Sequence, residues 1–363
     1  MTTAYSGDGI TFPDNSVQAT APRVGMVNRI INGDMRIDQR NGGASVTNNV
    51  SNAQYSVDRW KFLGSVSAKF TAQQNAGSVT PPLGFTNYLG VTSLSAYTVG
   101  AGDYFAINHE IEGFNVADLG FGTVSASSVT ISFWVYSSLT GTFGAALTNA
   151  STRGYPFTYT ISSANTWEKK IVSIAGDTTG TWNVDNSYGL RLKLGLGVGS
   201  TYSGTAGSWV SDNLISVTGA ASVVGTSGAT FYVTGVQLEK GSTATSFEYV
   251  DYGRQLQMCQ RYSFVTNGSN AMFGSGGGAG LQLRYVLPEM RATPTVLIHT
   301  AGTITVTDDF ASNPVANPAG ATLQNANAKF ARLAITGFTG LNTGRAYGGL
   351  GTGTATILFS AEL

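Results

Sequence analysis

Cysteine, histidine, charge and long apolar runs are all scarce in this sequence. With one cysteine, Cys259, and two histidines, His109 and His299, a single chain can form no internal disulfide, no cysteine-based zinc site and no multi-histidine metal centre. Only 11% of the residues are charged, 20 basic against 20 acidic. No Lys/Arg cluster occurs, so a nucleic-acid partner has no electrostatic footprint to bind. No apolar run approaches the roughly 18 residues that cross a bilayer, so membrane insertion is not expected. The opening MTTAYSGDGITF has neither a basic start nor an apolar stretch. No signal peptide is read there, and synthesis and folding in a cytoplasm are expected. Gly-x-Ser-x-Gly, Walker and His-Glu-x-x-His signatures are missing too, which removes the most recognisable routes to catalysis.

What is present is β-structure. The chain is 42% hydrophobic and holds 47 glycines in 363 residues, enough apolar material for two cores with a surface of Ser, Thr, Asn and Gly. Val129, Ile131, Phe133 and Val135 alternate with Thr130, Ser132, Trp134 and Tyr136. Leu190, Leu192, Leu194, Leu196 and Val198 alternate with Arg191, Lys193, Gly195 and Gly197. Each run predicts a half-buried strand. Leu281, Leu283, Tyr285 and Leu287 share a phase, as do Ala355, Ile357, Phe359 and Ala361. Asn-Gly, Gly-Asp, Ser-Gly and Thr-Gly turns separate such runs at the spacing of a sandwich of short strands.

Helix is predicted once with force, over Tyr252–Tyr262, and a second time within Asn325–Arg332. The resulting division is a polar arm over 1–22, a large β-domain over 23–250, a connecting helix over 251–262 and a smaller β-domain over 263–363. The glycine-rich stretch Gly274–Gly280 is expected to be either a mobile loop or a place of close backbone packing.

Several segments resemble those of tail-fibre and other virion proteins of tailed bacteriophages. Asn28-Arg-Ile-Ile-Asn-Gly-Asp-Met-Arg-Ile-Asp-Gln-Arg40 and Tyr55-Ser-Val-Asp-Arg-Trp60 are similar to the opening of a domain frequent in those proteins. Ile174-Ala-Gly-Asp-Thr-Thr-Gly-Thr-Trp182 is similar to its middle. Val236-Gln-Leu-Glu-Lys-Gly-Ser-Thr-Ala-Thr-Ser-Phe247, running into Tyr252–Tyr262, follows in the same order. Met290-Arg-Ala-Thr-Pro-Thr295 and Phe359-Ser-Ala-Glu-Leu363 resemble the end, and Gly9-Ile-Thr-Phe-Pro-Asp-Asn-Ser-Val-Gln18 resembles a fibre leader. The resemblance implies a carbohydrate-binding-module-like jelly roll followed by a small β-domain, assembled as a homotrimer. It also implies a place in the virion as a fibre or appendage that attaches to the host surface, with a host glycan as ligand and another virion protein docked by residues 1–22. A purely structural head fibre or capsid or neck decoration is the alternative. A polysaccharide depolymerase is the more distant one, for which Asp103, Glu110 and Glu112 are the nearby carboxylates.

A glycan site needs exposed aromatic faces beside amides or carboxylates. Trp134, Trp167, Trp182 and Trp209 are the tryptophans available, with Trp134 expected on an outer face. Trp182 and Trp209 are preferred, with Asp185, Asn186, Asp212 and Asn213 beside them. Trp182 also belongs to a recognised segment, which points to a structural role. No cofactor is expected, but related jelly rolls carry a structural calcium, for which Asp34 and Glu239 are the candidate ligands; a turn with ordinary hydrogen bonds is the simpler reading. Trp60 is expected in the core, with Asp58 and Arg59 ordering a loop at the sandwich edge. Leu256, Cys259 and Tyr262 are candidates for a three-fold interface or for packing between the domains of one subunit. Cys259 itself reads as a small apolar residue.

Overall fold

The computed structural model describes residues 4–6, 9–11, 17–18, 26–50, 54–268, 270, 273–277, 280–307, 315–316, 321–339, 341, 346–349 and 353–363. Among the described residues it is an all-β protein with one short α-helix. A jelly-roll sandwich of two six-stranded sheets comes first, and further antiparallel sheets follow it.

Sheet I of the sandwich runs, edge to edge, through Glu168–Ile174, Val129–Ser137, Thr230–Lys240, Leu89–Ser93, Phe70–Gln74 and Val46–Thr47. Sheet II runs through Gly154–Ile161, Gly141–Thr148, Tyr188–Val198, Tyr104–Glu112, Trp60–Gly64 and Gln54–Tyr55. The inward phase of each alternation builds one core: Ile131, Phe133, Leu192, Leu194, Phe105 and Phe231 are all fully buried. Large apolar side chains from two facing sheets supply most of the stabilisation here, at about 1.5–3 kcal/mol for each fully buried one.

The outward phase differs from the half-buried expectation. Thr130 and Ser132 are buried because the segment 241–250 lies over them, with the Thr130 hydroxyl donating to the Gly241 carbonyl at 2.8 Å. Lys193 is 2% exposed because the loop 199–217 covers sheet II, and its ammonium donates to Asn213 Oδ1 at 2.5 Å. That covering loop contains a short parallel pair, Ser203–Gly204 with Ser216–Val217. Gly144 and Gly195 admit it: a Cβ on Gly144 would stand 2.2 Å from Ser216 Oγ, a separation no side chain tolerates.

The helix spans Tyr252–Gln260, within the expected limits. The segment has no β-branched residue, and Asp251 caps it by accepting from the Arg254 N–H at 3.2 Å. The second expected helix, within Asn325–Arg332, is a correction. Ala321–Asn327 and Phe330–Thr336 form an antiparallel hairpin instead. Ala331, Leu333 and Ile335 are each 0% exposed, so the period of two governs the segment and overrides the helical propensity of its alanines. The turn is closed by Asn327 Oδ1 accepting from the Lys329 N–H at 2.9 Å.

The C-terminal part has its own apolar cluster, from Leu281 to Ala361. Leu281, Leu283, Tyr285 and Leu287 are buried while Gln282, Arg284 and Val286 are exposed, as the alternation predicts. The stretch around Gly274 is a strand, Phe273–Gly277, paired antiparallel with Gly280–Val286. A Cβ on Gly274 would meet Leu283 Cδ2 at 2.8 Å, so close packing is the reading that holds. Of the expected arm over 1–22, the short strands Ala4–Ser6, Gly9–Thr11 and Val17–Gln18 pair in one antiparallel sheet, and the remainder lies outside the described residues.

Candidate functional site

Trp182 and Trp209 come together at one end of the sandwich. Their ring centroids are 5.4 Å apart at 88°, and Phe121 stands edge-on to both, at 4.8 and 5.7 Å. Tyr155 extends the cluster from Trp209 at 5.3 Å. Both indole N–H groups are engaged inside the protein, Trp182 with the Thr179 carbonyl at 3.0 Å and Trp209 with the Ala175 carbonyl at 2.7 Å. The segment that carries those carbonyls is pinned by Asp177, which takes a bidentate contact from Arg153 at 2.6 and 2.9 Å. Burial alone would raise the Asp177 carboxyl, but hydrogen bonds from Arg153 and Thr179 carry it below the usual carboxylate range. The segment Ile174–Trp182 is thus tied to the rest of the sandwich by an ion pair with Arg153. Both tryptophans are half-buried. Beside Trp182, a cavity of about 140 Å³ opens between Leu119, Phe121, Val184 and Leu190.

The four polar candidates are all exposed but do not converge. Asp212 and Asn213 lie on the loop of Trp209, where Asn213 holds Lys193; burial and the neighbouring Arg191 lower that ammonium's pKa to about 7. Asp185 is held locally by Ser187, whose hydrogen bonds hold its carboxyl low. Asn186 faces elsewhere: Arg291 donates to its carbonyl at 2.7 Å, and its amide reaches back to the Arg291 carbonyl at 3.4 Å. It is a contact between the sandwich and the C-terminal part. Trp134 is half-buried on the outer face of its strand, as expected.

The calcium candidates have protein partners. Asp34 pairs with Arg36, and burial pushes its carboxyl up. Glu239 accepts from the Thr245 N–H and hydroxyl at 2.8 and 2.7 Å and from the Gln237 amide at 2.9 Å. Gln237 itself accepts from the Glu248 N–H at 2.8 Å, so the pair straps 241–250 onto sheet I. Among the described residues no group of three or more His, Cys, Asp or Glu is placed to hold a metal ion. The turn at Ile31–Asp34 is instead an amide knot. Buried Asn32 donates to the Ile37 and Asp58 carbonyls, accepts from the Ile37 N–H, and offers its own carbonyl to the Trp60 indole, all at 2.9–3.0 Å. Gly33 is required because a Cβ there would lie 2.1 Å from the Val236 carbonyl oxygen.

Trp60 is core, as expected, at 0% exposure. Asp58 and Arg59 take separate partners. Asp58 is bonded by Gln39, and burial pushes its pKa up to about 7 against the pull of Arg40. Arg59, with φ at +73°, is buried, pairs with Glu362, donates to the Glu110 carbonyl at 2.6 Å and lies 3.6 Å over the Tyr262 ring. Glu110 pairs with Arg191, and Glu112 with Arg261 and the Tyr262 hydroxyl. Asp103 is held by Gly100, Tyr97 and Ser65. Each carboxylate in the glycan-cleavage alternative therefore already has donors. Cys259 and Tyr262 are fully buried against Ile31 and Ile37 within the one chain, with Leu256 at the margin, and burial pushes the Cys259 thiol up. Of the junction residues, Arg59 is expected from sequence only to order a loop, and Arg40 and Glu362 are not singled out, since 322 positions separate those two and no local signal joins them.

No family model matches the chain, and no curated protein matches it. Among solved structures, it is similar to the enzymatically active domain of bacteriophage CBA120 tailspike protein 4, with 12% identity over 59% of this chain and 21% of that one, and a TM-score of 0.31. A CBM4 domain matches at 12% identity over 58% of this chain and 99% of that one, TM-score 0.30. A family 11 carbohydrate-binding module from Clostridium thermocellum, in complex with a β-1,3-1,4-mixed-linked tetrasaccharide, matches at 12% over 56% and 98%, TM-score 0.28. The chain spans about a fifth of the tailspike structure.

Proposed function

We propose that this chain is a non-enzymatic structural protein of a tailed-phage particle that recognises host-surface carbohydrate through the Trp182–Trp209 end of the sandwich. The observation that carries the carbohydrate reading is the fixed pair of indoles. Their N–H groups are engaged inward and their loops are pinned by Asp177–Arg153, while ring surface stays at the protein–water boundary beside exposed Asp212. Rigid aromatic surface placed this way stacks on the apolar side of a pyranose with little ordering cost. The phage reading is supported by the order of the recognised segments from 24 to 363. It carries with it the homotrimer, the division of the chain at 22, 250 and 262, and docking of residues 1–22 on another virion protein.

The same packing supports a second reading. Phe121, Trp182 and Trp209 also form a small core under their loops, which suits a fibre or capsid decoration that binds no receptor. Binding of the purified chain to host cells and extracted surface polysaccharide, with product analysis in the same samples, separates the readings. Saturable binding that falls at least tenfold in Trp209→Ala, without new reducing ends, is the expected result. Absence of binding moves the assignment to decoration, and released reducing ends move it to a depolymerase. Deleting residues 1–22 is expected to leave a folded oligomer that no longer joins the particle; normal incorporation would refute arm docking.

A further inference from the structure

A cleft of about 520 Å³ lies between the edge of sheet II and the strand Thr295–Thr300, remote in sequence from the tryptophans. The sandwich contributes Arg40, Tyr55 and Lys61 to its lining, and the C-terminal part Leu297, His299 and Glu362. Its volume falls within the roughly 300–1,000 Å³ of small-ligand sites.

The polar groups of the cleft fall into two sets. Those already engaged inside the protein include Gln54, bonded to Asn49 and Thr47, and Asn41, bonded to the Tyr55 and Ser56 carbonyls. Those left over are donors. Arg40 is 6% exposed, with Nη2 on Glu362 at 2.8 Å, its guanidinium 4.2 Å over the Tyr55 ring, and Nη1 without a hydrogen bond. Lys61 reaches Glu110 only at 4.0 Å, and Glu110 is already paired with Arg191. Burial raises the Tyr55 phenol and keeps it a protonated donor.

Charge follows the same pattern. Of the side chains that line the cleft, Arg40 and Lys61 are cationic and Glu362, which Arg40 shares with Arg59, is anionic. Two basic side chains in a cleft with low-dielectric walls favour an anion there, and Arg40 Nη1 is a buried donor still without a partner.

We infer that this cleft binds an acidic sugar, its carboxylate placed between Arg40 and Lys61 and its ring against Tyr55. The carboxylate completes the donor set, and the apolar parts of Tyr55, Leu297 and Leu358 give the sugar ring a surface to lie on. The site is separate from the tryptophan cluster and stands whether or not that cluster binds glycan.

The test is calorimetric titration of the full chain with a tetragalacturonate, a neutral tetrasaccharide and inorganic phosphate. Saturable binding of the uronate alone is expected, weakened at least tenfold by Lys61→Ala and by Leu297→Trp, which narrows the mouth from an exposed position. Trp209→Ala should leave it unchanged, so loss of the tryptophan site and loss of this one are told apart. Undetectable uronate binding, equal binding by Lys61→Ala and the parent, or binding of phosphate in preference to the uronate would each overturn the inference.

Discussion

The sandwich and the C-terminal sheets bury the same apolar alternation but treat their outer faces in opposite ways. On the strand Gly280–Val286, the outward residues Gln282, Arg284 and Val286 meet solvent. In the sandwich, Thr130, Ser132, Gln237 and Glu239 lie beneath the segment 241–250, and Lys193 lies beneath 199–217. A loop returning over a sheet turns surface positions into buried polar ones, each of which must then find a specific partner. A polar substitution in the sandwich should therefore cost far more than its counterpart in the C-terminal part.

The largest effect is expected at Asn32. Asn32→Ala removes three hydrogen bonds from a side chain with 0% exposure and puts a Cβ-only residue at φ +58°. With each orphaned buried group costing about 1–3 kcal/mol, a loss of about 3–5 kcal/mol is expected in denaturant unfolding. A loss below about 1 kcal/mol would mean that the knot is not what holds the turn.

Asp58 tests the same burial through pH. Its folded pKa is raised to about 7 from 3.8, so the folded state binds the extra proton between those values, and this group's contribution to stability falls as pH rises from about 4 to 7. Asp58→Asn, a mimic of the protonated acid, should flatten that decline and leave the variant more stable than the parent at pH 8, by about 1–4 kcal/mol. Parallel stability–pH curves for the two proteins would contradict it.

Glu239 decides between strap and metal ligand. Glu239→Ala should cost about 1–3 kcal/mol and speed amide exchange at Thr245 and Glu248, whose N–H groups are held by Glu239 and Gln237. Adding or chelating calcium should change neither value. A calcium-dependent melting temperature in the parent that Glu239→Ala abolishes would restore the metal reading.

Periodicity made the core legible: Ile131, Phe133, Leu192 and Leu283 all sit where alternation puts them. The helix at 252–260 was legible through the helical spacing of Leu256, Cys259 and Gln260 and the lack of an internal proline. Asn325–Arg332 misled because a short alanine-rich run carries helical propensity with no period long enough to contest it, whereas pairing with Gly280–Val286 fixed it as strand. Asp34, Glu239 and Asn186 are candidate ligands in the sequence because a polar side chain in a strand-and-turn context reads as surface. The fold gives each a protein partner, close in sequence for Asp34 and Glu239 (Arg36 and Thr245) and distant for Asn186 (Arg291). The cleft was illegible for the same reason, since Arg40 and Glu362 are brought together by the last residues of the chain.

The smallest effect sharpens the comparison most directly. Asn327 uses the same atom type as Asn32 for the same task, a side-chain oxygen accepting a backbone N–H across a turn, here Lys329 at 2.9 Å. It is exposed, so when the bond is removed water replaces it and no group is left orphaned. Asn327→Ala should therefore cost about 0.5 kcal/mol or less, several-fold below Asn32→Ala in the same unfolding assay. If the two substitutions cost the same, burial of the side chain is not what separates them, and turn conformation alone would have to explain both.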